Sequence, residues 1–225
     1  MSPIIFIVLP ILLFSVIIHE CAHGIAAYRC GDDTAKLMGR ITLNPIPHID
    51  IFGTIIIPVL MIISGAPVIG WAKPVPVNPL NFRKPRRDDI IVSAAGPGSN
   101  ILLAISSFLF LIVVVNFPLS NISIKGVLGV FFFYLTMINV ILAIFNLIPF
   151  PPLDGSHILG NILPYSLARS YKSINPSIGM IILYLLILSG LLKYILFPII
   201  NIISNLIDVV TPSVVINEMN KLLLK

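Results

Sequence analysis

Hydrophobic residues along this chain gather into long runs separated by short polar connections, with little of the alternation that marks a half-buried strand. A run of about 18 or more apolar residues, wound as helix, crosses a hydrocarbon core about 30 Å thick. The first run, from Pro3 to about Tyr28, stays apolar until His19, then reads His19-Glu20-Cys21-Ala22-His23 before Arg29 and Asp32-Asp33 mark water. The second, residues 51–69, is interrupted by Gly53, Pro58, Gly65 and Pro67, so it is a kinked span or a re-entrant hairpin. Ile90 to about Phe117 is the third, Gly126 to Leu147 the fourth, Gly179 to Phe197 the fifth, and Ile199 to Val215, set off by Pro198, a sixth. Residues 36–48 hold a β-prone run, Arg40-Ile41-Thr42-Leu43, ahead of Asn44-Pro45 and Pro47, which predicts a short strand or extended loop. Gly70 to Asp89 is a proline-rich basic loop with Trp71 suited to the interface. The run Pro149-Phe150-Pro151-Pro152-Leu153-Asp154-Gly155 removes backbone donors faster than a helix tolerates, and so ends the fourth segment.

The pattern predicts an all-α polytopic membrane protein with about five to six transmembrane helices, a re-entrant segment and a short β-strand region. All 225 residues fall in one integral-membrane domain, with a core over about 3–160 and C-terminal helices over about 178–215. Composition agrees, because 57% hydrophobic and 10% charged residues exclude an ordinary soluble domain, where about 25% are charged. The net charge of +5 lies in short connections rather than along one face, which fits topology signals and anionic headgroups and sets nucleic acid aside. The first run lacks a basic leader and a small-residue cleavage site, so it reads as a retained span. Cys21 and Cys30, about 13 Å apart on one continuing helix, cannot pair with each other.

His19 and His23, four apart on a helix, project from nearly one face, where both imidazoles can bind one zinc ion. Glu20 can reach a water on that metal without being a ligand and act as its base. Ionisable groups in a span cost several kcal/mol unless they are paired or hydrated, which favours a site over a cluster hydrogen-bonded for packing. Two histidines leave zinc short of a ligand, and the candidates are Asp154, His157 and His48. Asp154 is the best of these, because irregular backbone at membrane depth belongs where it is buried in protein or lines a cavity; its alternative is a turn residue in Leu-Asp-Gly.

With these motifs the chain resembles the site-2 proteases, intramembrane zinc metalloproteases of the M50 type, in the compact form without PDZ or CBS domains. The resemblance covers roughly residues 15–160. His19–His23 matches the first motif of that family, and Asn146 to Gly155 its second, in which the aspartate, here Asp154, is the third zinc ligand. Ala95-Gly96-Pro97 followed by Asn100 matches a third, whose asparagine lies near the metal, and Gly70 to Asn78 also resembles compact members. The resemblance implies peptide hydrolysis by zinc-activated water. Glu20 is the base, and Asn100 either stabilises the oxyanion or hydrogen-bonds between helices.

The expected substrates are single-span transmembrane proteins, and such a helix must be unwound before its amide can be cut. Arg40, Ile41, Thr42 and Leu43 could offer an edge to the extended segment, with His48 and Asn44 lining the approach or serving as loop residues. A membrane metal-ion transporter and a non-proteolytic metal-binding protein are the alternatives. Transport needs ligands at several depths or a repeat, and the intact Glu20 suits hydrolysis. Topology follows from the ligands: the ends of segments one and four must share a side, so residues 51–69 should enter and leave by one face. That side then carries Arg29, Lys36, Arg40, Lys73, Arg83, Lys84, Arg86 and Arg87 against Lys125 alone in loop 118–126, which puts the site towards the cytosol in a cell-membrane protein.

Overall fold

The computed structural model describes residues 5–64, 70–117, 121–211 and 216–217. The outer limits expected at Pro3 and Val215, and the breaks at Gly65 and Pro67, lie outside the described residues. Three long helices form the centre: α1, Ile5–Cys30; α4, Pro85–Asn116; and α5, Ile122–Leu147. They follow from apolar runs bounded by caps. Asp88 accepts from the Lys84 N–H at 2.7 Å, so α4 starts earlier than hydropathy suggests, and Asn121 accepts from the Ser123 and Ile124 amides to start α5.

Helix α4 lies between α1 and α5, and the contact is made by small and polar residues as well as by bulk. Gly96, Ala104 and Ser107 of α4 and Gly126 and Gly129 of α5 are buried, and the Ser107 and Thr136 hydroxyls meet at 2.9 Å. Below them Leu111, Val115, Val130 and Met137 pack with Ile207 of α9, Leu192–Val210, which lies against α5. The remaining helices are short: α2 Thr34–Leu37, α3 Ile57–Ser64, α6 Asp154–Ile162, α7 Tyr165–Lys172 and α8 Pro176–Leu188.

Among the described residues four helices, α1, α4, α5 and α9, are long and apolar enough to cross a membrane, and α7 with α8, bent by 78°, would make a fifth if counted as one span. The expected boundary at Pro198 is corrected. Pro198 lies inside α9, and the break falls at Ser189–Leu191, so the fifth and sixth segments become a short α8 and a full α9. Leu153, just past α5, packs against Leu183 of α8 and Leu192 at the start of α9, whereas Asn116 at the end of α4 donates to the Val210 carbonyl. Helix α9 therefore runs from the α5 C-terminal end of the bundle to the α4 C-terminal end.

The expected strand is also corrected, since no strand occurs among the described residues. Between Arg40 and Leu43 the backbone is irregular because side chains take its hydrogen bonds: the Thr42 carbonyl accepts from Cys21 Sγ and from His48 Nε2. Residues 51–64 form a π-helical turn, Ile51–Ile56, and α3, of 6 and 8 residues, together shorter than the roughly 20 a span needs. Trp71 lies against the start of this segment, its N–H donating to the Gly53 carbonyl at 3.1 Å and its carbonyl accepting from Thr54 Oγ1 at 2.8 Å.

Candidate metal centre

The four-residue spacing on α1 places His19 Nε2 and His23 Nε2 3.0 Å apart, and the chain brings a third group to them from far away in sequence. Asp154 opens α6 directly after the proline run, and its Oδ2 lies 3.2 Å from His19 Nε2 and 3.4 Å from His23 Nε2. Gly155 makes that placement possible, because a Cβ there would collide with the Leu147 and Ile148 carbonyls at the end of α5. Gly96 does the same on α4, where a Cβ would run into both imidazoles. Ligand atoms of the three side chains all lie within 4.8 Å of one another.

Each imidazole is held from behind. His19 Nδ1 lies 2.6 Å from Asn100 Oδ1, and His23 Nδ1 lies 2.7 Å from the Val92 carbonyl, so both Nδ1 atoms donate and both Nε2 atoms present lone pairs. The Asn100 amide is itself fixed, with Nδ2 donating to Asn139 Oδ1 at 2.8 Å, while Asn139 Nδ2 donates to Ser15 Oγ and to the Leu135 carbonyl. Asp154 Oδ2 is buried and accepts no hydrogen bond. Two lone pairs and a carboxylate oxygen at these distances repel one another unless a cation lies between them. The donor set of two imidazoles and one carboxylate therefore fits zinc with an open coordination position.

Glu20 is outside that set. Its Oε2 accepts the Val75 N–H at 2.7 Å, from the extended segment that follows Trp71. The other candidates lie elsewhere. His157 is half-exposed and faces Asp89, which raises it above its ordinary 6.5, while His48 is fully buried with Nε2 on the Thr42 carbonyl. Asn44 closes a turn on the Ile46 N–H. Asn100 has no exposure; its Oδ1 faces His19 Nδ1 and its NH2 points towards Asn139 and Ser15. Arg40, expected on a substrate-binding edge, is buried with its guanidinium on the Lys73 and Pro74 carbonyls, and Ile41 leans on α1 at Gly24.

Four contributors escape sequence reasoning: Ser15, Val75, Val92 and Asn139. Asn139 carried a usable signal, since an amide in the middle of an apolar span needs a partner. Val75 carried another, because Pro74 and Pro76 on either side have no N–H. Asp32, expected to face water, is fully buried and receives the Asn78 N–H at 2.7 Å, Asn81 Nδ2 at 2.8 Å and the Thr34 hydroxyl. Burial pushes its carboxyl up, and these donors reverse the effect and leave it below 3.8.

The family model described as Peptidase family M50 matches residues 6–188. YwhC of Bacillus subtilis (strain 168), whose name assigns it provisionally as a zinc metalloprotease, is 40% identical over 191 residues, 84% of each chain. Rip2 of Mycolicibacterium smegmatis, assigned in the same way, is 29% identical over 167 residues, 73% of this chain and 59% of its own length. Rip2 of Mycobacterium tuberculosis is 29% identical over 181 residues, 78% of this chain and 63% of its own. The chain thus spans about six tenths of these mycobacterial relatives. No solved structure matches.

Proposed function

The chain belongs to peptidase family M50, a family of zinc metalloproteases, and we propose that it cleaves transmembrane protein substrates within the bilayer. The observation that carries this reading is the convergence of His19, His23 and Asp154 partway along a membrane-spanning helix. His19 is 14 residues from Ile5, about 21 Å along α1 at 1.5 Å per residue, so the site lies within the hydrocarbon depth and towards one side.

In this reading His19 Nε2, His23 Nε2 and Asp154 hold the zinc, and Asn100 and the Val92 carbonyl keep the imidazoles turned towards it. Bound zinc supplies a Lewis acid that lowers the pKa of water towards about 7. Glu20, with one oxygen tied to Val75, takes the proton on its other oxygen and returns it to the leaving amine. The substrate is a single-span protein, presented after local unwinding because a helical amide is shielded by its own hydrogen bonds.

The site faces the cytosol in a cell membrane. The return of Trp71 to Gly53 supports a re-entrant segment, which puts Arg29, Lys36, Lys73, Arg83, Lys84, Arg86 and Arg87 on the side of the zinc and only Lys125 between α4 and α5. Arg40, being buried, drops out of that count. Impermeant labelling of single cysteines at positions 36, 84 and 125, in a Cys21- and Cys30-free background, tests the sidedness; opposite accessibility of 36 and 84 would overturn it. The activity is tested by incubating purified protein with single-span membrane proteins, with and without a chelator. Glu20→Gln should abolish cleavage and retain one zinc per chain. Loss of zinc with the fold intact would place Glu20 among the ligands and refute its role as base.

A further inference from the structure

Arg40 and Glu20 are bridged by a single peptide group. Arg40 Nη2 donates to the Lys73 carbonyl at 2.8 Å and to the Pro74 carbonyl at 3.1 Å, and the N–H on the other side of the Pro74–Val75 peptide donates to Glu20 Oε2 at 2.7 Å. A peptide unit is planar, so fixing its oxygen fixes the direction of its N–H. The cation at the oxygen and the anion at the N–H also polarise the unit in the same sense, which strengthens both bonds. Arg40 is 7% exposed, and no carboxylate among the described residues forms an ion pair with it, so Glu20, reached through the peptide, is the counter-charge its position provides.

The sequence is suited to this. Pro74 and Pro76 lack N–H groups, so Val75 is the single backbone donor across the three residues and has no neighbour competing for the carboxylate. The segment is held independently of Glu20, with the Lys73 N–H on the His48 carbonyl at 2.9 Å and the Val75 side chain buried against Gly24 of α1. A strap held in this way can orient the group it binds.

We propose that Arg40 is a positioning residue for catalysis, aligning the Glu20 carboxylate through the Pro74–Val75 peptide. The proposal rests on Glu20 being the base, and it requires no contact between Arg40 and substrate. Misplacing a catalytic group by about 1 Å can cost about 10²-fold, so Arg40→Met should lower kcat by about 10- to 100-fold with KM within twofold, at full zinc content, and Arg40→Lys should recover part of the loss.

The test has two arms. In the first, kcat and KM for a single-span substrate cleaved by the wild-type protein are measured for Arg40→Met, for Arg40→Lys and for a Val75 α-hydroxy-acid variant, whose ester oxygen replaces the N–H. The ester should match Arg40→Met, and combining the two should cost no more than either alone. In the second, 15N-valine spectra follow the Val75 amide proton, assigned by its loss in Val75→Ala; it should move upfield in both Arg40→Met and Glu20→Gln. A raised KM with unchanged kcat in Arg40→Met, full activity of the ester, or a Val75 resonance unmoved by either substitution would overturn the proposal. If Arg40→Met fails to fold, the ester and the Glu20→Gln spectrum decide it. Activity persisting in Glu20→Gln would instead refute the base, whatever the spectra show.

Discussion

Asn100→Ala separates two readings of the asparagine that the motif alone leaves open. Asn100 Oδ1 lies 2.6 Å from His19 Nδ1, and its Nδ2 lies 2.8 Å from Asn139 Oδ1, with the residue fully buried. Truncation removes the acceptor that fixes the imidazole tautomer, and loss of such a partner behind a metal ligand typically costs 10–100-fold in metal affinity, about 1.4–2.7 kcal/mol. It also strands Asn139 Oδ1, a buried acceptor left unpaired at about 1–3 kcal/mol of stability. Asn100→Asp keeps an acceptor for His19 but places an oxygen against Asn139 Oδ1, so it should restore most of the zinc affinity while remaining destabilised. Competition against a zinc chelator, with a thermal melt in the same detergent, reads both quantities. Zinc affinity unchanged in Asn100→Ala while cleavage collapses would refute the reasoning and return Asn100 to the oxyanion.

Asp154→Ala should release zinc, whereas His157→Ala should lower zinc retention only mildly, because His157 faces Asp89 rather than the imidazole pair; metal analysis giving the reverse ranking would move the third ligand. Asp32, buried under donors from Asn78, Asn81 and Thr34, should contribute about 3 kcal/mol of stability lost in Asp32→Ala. Its folded carboxyl lies below 3.8, so this stability is fully present above that pH and disappears as pH falls through the folded value. The melting difference between wild type and Asp32→Asn should therefore shrink as pH falls from about 4, and a difference that held constant or grew in acid would count against it.

What the sequence made legible was set by local rules. Helical spacing alone puts His19 and His23 on one face, and three prolines between Pro149 and Pro152 end α5 whatever surrounds them. The misses are long-range. β-propensity at Arg40–Leu43 gave way to the side chains of Cys21 and His48, which take the Thr42 carbonyl, since propensity expresses packing context more than intrinsic preference. Pro198 suggests a break because hydropathy shows only the proline, whereas α9 continues through it, held against the core by Ile207. No periodicity reports that Val92, 69 positions from His23, or Ser15, 124 from Asn139, will complete the same site.

The polar groups of the bundle show why a metal belongs in this place rather than elsewhere in the fold. In the span, polar side chains are tolerated when paired, and the chain from His19 through Asn100 and Asn139 to Ser15 is paired at every step. At its open end the pairing stops. Two imidazole lone pairs and the orphaned Asp154 Oδ2 face one another, and each imidazole is already positioned by the acceptor behind it. Side chains free to relieve that repulsion would rotate apart, but the Asn100 and Val92 acceptors behind them, and the close approach of Gly96 and Gly155, leave no such freedom. Local rules are broken here because the surrounding helices enforce it, as expected where a site is preorganised for a ligand. The same frame reaches Glu20, the proposed base, through the Val75 N–H that donates to its Oε2.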